Sequence, residues 1–166
     1  MTNFRNVLVL VVSSVVFGNG CTDIGSVPPA DEQYIRIYFK HDFRDEVDTF
    51  NGVLTKDLIM DGTRTVQFGF SSSEQDSLVK FLGQAQFFGL PDTLYPLPAV
   101  SIAPDPGPQI LRVEYQGVRK SLVWQNVLDK SDPRTKTVQE LWVSLERLVH
   151  STESYKRLPA ARGIYL

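Results

Sequence analysis

The sequence predicts an α+β fold, with an antiparallel β-sheet of about five strands and two helices packed on one of its faces. Three observations predict it. YIRIYFK, Tyr34 to Lys40, sets Ile35, Ile37 and Phe39 against Arg36, Tyr38 and Lys40, the period of two expected of a half-buried strand. QILRVEYQ and VRKSLVW lie either side of Gly117 and read as a hairpin. SSSEQDSLVKFLGQAQFF and DPRTKTVQELWVSLERLVH each carry one apolar stripe at helical spacing. The order is β-β-β-α, a proline-rich loop, then β-β-α, and no internal repeat interrupts it.

After the first strand, HDFRDEVD reads as a charged connection. DTFNGVLTKDLIM is a second strand interrupted near Asn51-Gly52, or else that pair is itself a tight turn and the hairpin sits earlier. Asp61-Gly62 signals another turn, and TRTVQFGF then places Val66, Phe68 and Phe70 on one face. Ser72 or Ser73 caps the first helix, and Glu74 and Asp76 suit its positive end. Leu78, Phe81, Leu82 and Ala85 make its buried stripe, and Phe87, Phe88 and Leu90 plug the core before Pro91. The segment 91–108 holds six of the ten prolines and excludes a helix or a central strand.

In the hairpin, Ile110, Arg112 and Glu114 oppose Leu111, Val113 and Tyr115, and Val118, Lys120, Leu122 and Trp124 share a face. Asp132-Pro133 starts the second helix with a capping carboxylate and a proline at the first helical position. Val138, Leu141, Trp142, Leu145, Leu148 and Val149 mark its core side, while Glu140, Glu146 and Arg147 face water. The tail STESYKRLPAARGIYL loses helical spacing, and its Tyr155, Leu158, Ile164 and Tyr165 are expected to dock across the domain.

The 166 residues carry 17 basic and 19 acidic side chains, a net charge of −2. A chain of this balance has no basic stripe for a phosphate backbone, so nucleic acid is not expected as a partner. One cysteine allows neither an internal disulfide nor a cysteine-rich zinc site.

That cysteine follows a leader of three zones. MTNFRN bears Arg5, VLVLVVSSVVF (Val7–Phe17) is an apolar run of eleven residues, and GNG precedes Cys21. This is the layout of a secretory signal peptide. As helix the apolar run rises only about 16 Å, half of a bilayer's hydrocarbon core. Residues 1–20 therefore read as a signal peptide, 21–33 as a tether rich in Gly and Pro, and 34–166 as one α+β domain. Loss of the leader removes Arg5 and leaves 16 basic against 19 acidic residues, or −3.

The segment ending in Gly20-Cys21 resembles the leader of bacterial lipoproteins, although Gly18 stands where that family usually has Leu and Phe17 fills the role one residue early. The resemblance implies cleavage between Gly20 and Cys21, diacylglycerol and palmitate-type acylation of Cys21, and residence at a membrane of the bacterial cell envelope. Thr22 after the cysteine favours the outer membrane facing the periplasm under the enterobacterial sorting rule. An ordinary signal peptide cut nearby would instead leave Cys21 as a free thiol.

No constellation for catalysis emerges. His41 lies in the first hairpin connection with Asp42, Asp45, Glu46 and Asp48, but neighbours in an extended run point apart, and the spacing misses a calcium loop. His150 ends the second helix, where a cation suits the negative pole. GFSSS, 69–73, only echoes a nucleophile elbow and is better read as a helix cap. Neither a phosphate-binding loop nor a dinucleotide fingerprint occurs. Trp124 and Trp142 sit on core faces.

FFGLP, then LRVEYQGVRKSLVW and the closing amphipathic helix, resemble two sets of small bacterial domains between about Val66 and Val149. One is an uncharacterised group common in secreted lipoproteins, the other the emfourin family of thermolysin-type metalloprotease inhibitors. The expectation is a non-enzymatic, lipid-anchored binding domain with no cofactor and no metal. Its membrane contact runs through Cys21 and its partner is an envelope protein of unidentified kind. An emfourin-like inhibitor is the alternative, and the 91–108 loop is the place to look for a partner surface.

Overall fold

The alternating run at Tyr34 becomes the middle of a sheet. A computed structural model describes residues 34–41, 44–94, 107–125 and 130–165, with His41 described through its backbone alone. Residues 1–33, read from sequence as signal peptide and tether and including Gly20 and Cys21, lie outside the described residues, as do 95–106 of the proline-rich loop. Strands β1 (Ile35–His41), β2 (Asp45–Asp48), β3 (Val53–Asp57) and β4 (Thr63–Gln67) form a meander of antiparallel hairpins. Helix α1 (Ser72–Gln84), a 3-10 turn (Phe87–Gly89) and the two-residue strand β5 (Thr93–Leu94) follow. Strands β6 (Gln109–Tyr115) and β7 (Val118–Trp124) then lead to α2 (Pro133–Ser151) and the short α3 (Glu153–Lys156). The fold is mixed α+β, with seven strands in the order β4-β3-β2-β1-β6-β7-β5.

Two of those strands were not expected. Asp45–Asp48 belongs to what reads as a charged connection, and only Val47 in it is apolar. It pairs because β1 needs a partner for its backbone groups on that side, and the register seats Val47 between Phe39 and Leu54. His41 is accordingly the last residue of β1, opposite Asp45, and not part of the connection. Thr93–Leu94 lies inside the proline-rich segment and runs parallel to β7, the single parallel pair among the named strands. It occupies the sheet edge, where a proline neighbour is tolerated.

Asn51-Gly52 belongs to the β2–β3 turn, which settles the alternative left open by the sequence. Asp48 Oδ1 accepts from the backbone N–H of Phe50 (2.9 Å) and Asn51 (3.1 Å), and Gly52 takes φ = 68°. Gln116 and Gly117 are both left-handed (φ 50° and 76°), the geometry of the two-residue turn that best suits a twisted hairpin.

One side of the sheet is the core side. Register puts Ile35, Ile37, Phe39, Val47, Leu54, Leu111, Val113, Leu122 and Trp124 on it, and all are buried in a single cluster with Leu78 and Leu82 of α1 and Val138, Leu141, Leu145 and Val149 of α2. Phe39, Trp142 and Trp124 meet edge to face, with centroids 4.9 Å and 5.3 Å apart. Phe87 and Leu90 enter the core as expected, whereas Phe88 stays 38% exposed.

The helix starts differ by one detail. Ser71, not Ser72 or Ser73, is the N-cap of α1, and its backbone N–H donates to the Glu74 carboxylate (2.8 Å). Asp132 caps α2 through the Arg134 N–H (2.9 Å), ahead of Pro133. Helical spacing does persist past His150: α2 reaches Ser151, and buried Thr152 restarts the chain as α3 by accepting from the Tyr155 N–H (3.3 Å). Tyr155 and Leu158 pack on the core, but Ile164 is 76% exposed.

The end of the tail docks through its backbone. Arg162 N–H donates to Leu58 C=O (3.2 Å), its own C=O accepts from Met60 N–H (3.3 Å), and its guanidinium grips Asp61 at 2.7 and 2.6 Å. Beside it Ile59 holds φ = 61°, unfavourable for a β-branched residue. Asp57 Oδ1 accepts the Ile59 N–H (2.8 Å), and Asp57 Oδ2 accepts from the Tyr165 hydroxyl.

Candidate functional site

The side of the sheet opposite the core is polar, and among the described residues no helix packs on it. Its rows follow from the register. Arg36, Glu114 and Arg119 lie in line, Asp48, Tyr38, Arg112 and Ser121 form the next row, and Glu46, Lys40 and Ile110 the third. Three arginines and the Tyr38 ring thereby gather, beside Phe50 of the β2–β3 turn, on a chain whose overall charge is negative.

Each side chain is held differently. Glu114 pairs with both Arg36 and Arg119, whose hydrogen bonds hold its carboxyl below the ordinary value of 4.5. Arg36 also lies over the Phe50 ring, 5.1 Å from its centroid. Arg112 stacks over Tyr38 at 5.4 Å, and no carboxylate pairs with it among the described residues. Tyr38 donates to Glu46 Oε2 (3.2 Å); burial, then the Glu46 carboxylate, push its hydroxyl pKa up. Asp48 is committed to the turn, since it also accepts from Asn51 Nδ2 at 2.6 Å. Tyr38, Asp48, Phe50, Asn51, Arg112 and Arg119 line a depression of about 250 Å³.

A second concavity, of about 340 Å³, opens between the end of α1 and the β6–β7 turn. Val79, Leu82, Phe88, Tyr115 and Val118 make it apolar, and Phe88 and Val118 are its exposed members. Tyr34, where the chain enters the domain, contacts Tyr115 with ring centroids 6.4 Å apart.

Of the described residues weighed from sequence, Asp48 lines the depression, while His150 and the serines of 71–73 line neither place. His150 is exposed in the last turn of α2, as its helix-end position implies, and stacks on Tyr155 at 4.3 Å. Burial, followed by the carboxylates of Asp45 and Glu146, pushes the Tyr155 hydroxyl to about 12. The His41 side chain lies outside the described residues. No group of three or more His, Cys, Asp and Glu suited to a metal occurs among the described residues, and no described helix is long and apolar enough to cross a membrane. Ser71 and Ser73 serve the helix start, their hydroxyls 3.3 Å apart.

Sequence reasoning missed the arginine face. Its signal was present in the polar half of each alternation, Arg36-Tyr38-Lys40 and Arg112-Glu114, but only the pairing of β1 with β6 brings the two halves together. No protein-family model matches the chain, and no curated protein matches it.

Proposed function

We propose that this chain is a lipid-anchored protein of the bacterial cell envelope whose domain binds a partner and catalyses no reaction. The observation that carries the anchor is the position of the single cysteine, Cys21, directly after Gly20 and an eleven-residue apolar run. Acyl chains there contribute about 0.8 kcal/mol per buried methylene, so two or three hold a water-soluble domain at a membrane. From Cys21 to Tyr34 the tether spans at most about 45 Å, so the domain can work at some distance from the bilayer surface. The binding half is supported by the open sheet face, where exposed Arg112 and Arg119 stand beside the half-buried rings of Tyr38 and Phe50.

The test is radioactive palmitate given to cells expressing the chain. Incorporation in the wild type that disappears in Cys21→Ser is the expected result. A wild-type protein exported normally yet carrying no label would end the anchoring claim.

A further inference from the structure

We infer that the depression around Arg112 is a binding site for a carboxylate that carries an apolar or aromatic group. Arg112 is at the centre of the open face, between Tyr38 on β1 and Ser121 on β7. Its guanidinium carbon lies 5.4 Å from the Tyr38 ring centroid, and a contact to the ring face leaves the N–H donors at the guanidinium's edge for a ligand. Glu114 shares its single negative charge between Arg36 and Arg119, and with Asp48 on the rim the three arginines are left with one net positive charge, on the side where Arg112 has no carboxylate partner among the described residues. That favours a singly charged planar carboxylate, which a guanidinium binds in two parallel hydrogen bonds, over a phosphate dianion, which calls for several cations.

The surroundings define the rest of the ligand. Phe50 and Tyr38 supply aromatic wall, and Asn51, tied to Asp48, borders the rim. Asp48 is the one carboxylate on that rim and would repel an anion. Its oxygens are occupied by the Phe50 and Asn51 N–H groups and by Asn51 Nδ2, which directs its charge into the turn. A space of about 250 Å³ admits a group the size of one amino-acid residue. A C-terminal residue or a small aryl- or alkyl-carboxylic acid has that size and chemistry.

This inference deepens the binding half of the proposed function and is independent of the anchor, so the palmitate experiment and the one below fail separately. The full chain, labelled with ¹⁵N, is titrated with N-acetylphenylalanine, with its uncharged amide and with inorganic phosphate. Saturable shifts at Asn51, Arg112 and Arg119 in the millimolar range are expected with the acid. The amide binds at least about tenfold more weakly, because a charge-assisted pair is lost. Arg112→Lys, which keeps the charge but loses the fork, weakens the acid by a similar factor while the rest of the spectrum stays unchanged. To separate a free acid from a polypeptide terminus, N-acetyl-Gly-Gly-Phe is compared with N-acetylphenylalanine; tighter binding of the peptide assigns the site to a chain end, and equal binding to a small acid. Equal binding of acid and amide, tighter binding of phosphate, shifts confined to the Phe88–Tyr115 groove, or no saturation at all would each overturn the inference.

Discussion

Gln75 is the residue whose role reads least like its type. It is a polar side chain on the buried side of α1, 1% exposed, and its amide joins two distant pieces of chain. Its Oε1 accepts from the Tyr34 N–H (3.1 Å) and lies 3.5 Å from the Ile35 nitrogen, while Nε2 donates to the Phe70 C=O at 3.0 Å. A buried group that loses such partners costs about 1–3 kcal/mol. Gln75→Leu keeps the volume and strands those backbone groups, so urea unfolding is expected to lose about that much stability. An unchanged midpoint would mean water replaces the amide. Thr49 works on the same principle, its hydroxyl accepting from Ile37 N–H (2.8 Å) and donating back to Ile37 C=O (3.2 Å) where β1 and β2 part. Neither role is legible in sequence, because a lone polar residue in an apolar stripe looks like a lapse in periodicity until its partners, 40 or 12 residues away, arrive beside it.

At the scale of elements, two glycines of opposite character show what sets the local backbone. Gly52 closes the β2–β3 turn at φ = 68°, where a Cβ is disfavoured by about 1–2 kcal/mol. Gly83 lies in the last turn of α1 with open space around it, and there glycine is the weaker helix former by about 0.5–1 kcal/mol. Gly52→Ala should lower the unfolding midpoint and Gly83→Ala should raise it. Two shifts of the same sign would refute this account of the turn or of the helix end. The elements themselves were largely readable. Both long helices begin within one residue of their expected caps, and the β6–β7 hairpin turns at Gly117 as its flanking alternations require. The elements that escaped were those with little periodicity of their own. Asp45–Asp48 has one apolar residue, Thr93–Leu94 is two residues long, and α3 spans one turn. Each exists because a neighbour supplies the hydrogen bonds or the cover that its own residues do not specify.

Over the whole molecule, the charges are arranged so that acid weakens the fold. Glu114, Asp61 and Asp132 each have a carboxyl held below its ordinary value, first of all by side-chain hydrogen bonds to Arg36, Arg162 and Arg134 respectively. A lowered carboxyl pKa contributes stability that is complete above the unfolded-state value, here 4.5 for Glu and 3.8 for Asp, and that is lost as pH falls through the folded one. Denaturation midpoints should therefore hold level from neutrality to about pH 5 and decline below it. Glu114→Gln should start lower at neutral pH and decline less steeply. A midpoint that rises on acidification would contradict these pairings.

The sequence by itself determined which side of each segment is buried, where the helices begin, where the last hairpin turns and where the single cysteine stands. Those are local matters, since a period of two or of 3.6, a capping carboxylate or a left-handed glycine acts within a few residues. The tertiary structure alone decided that β1 lies between β2 and β6, that a charged connection and a proline-rich stretch each contribute a strand, and that Arg36, Arg112 and Arg119 share one uncovered face. Strand partners are chosen when backbone groups and apolar faces distant in sequence are satisfied together, and no local pattern carries that information.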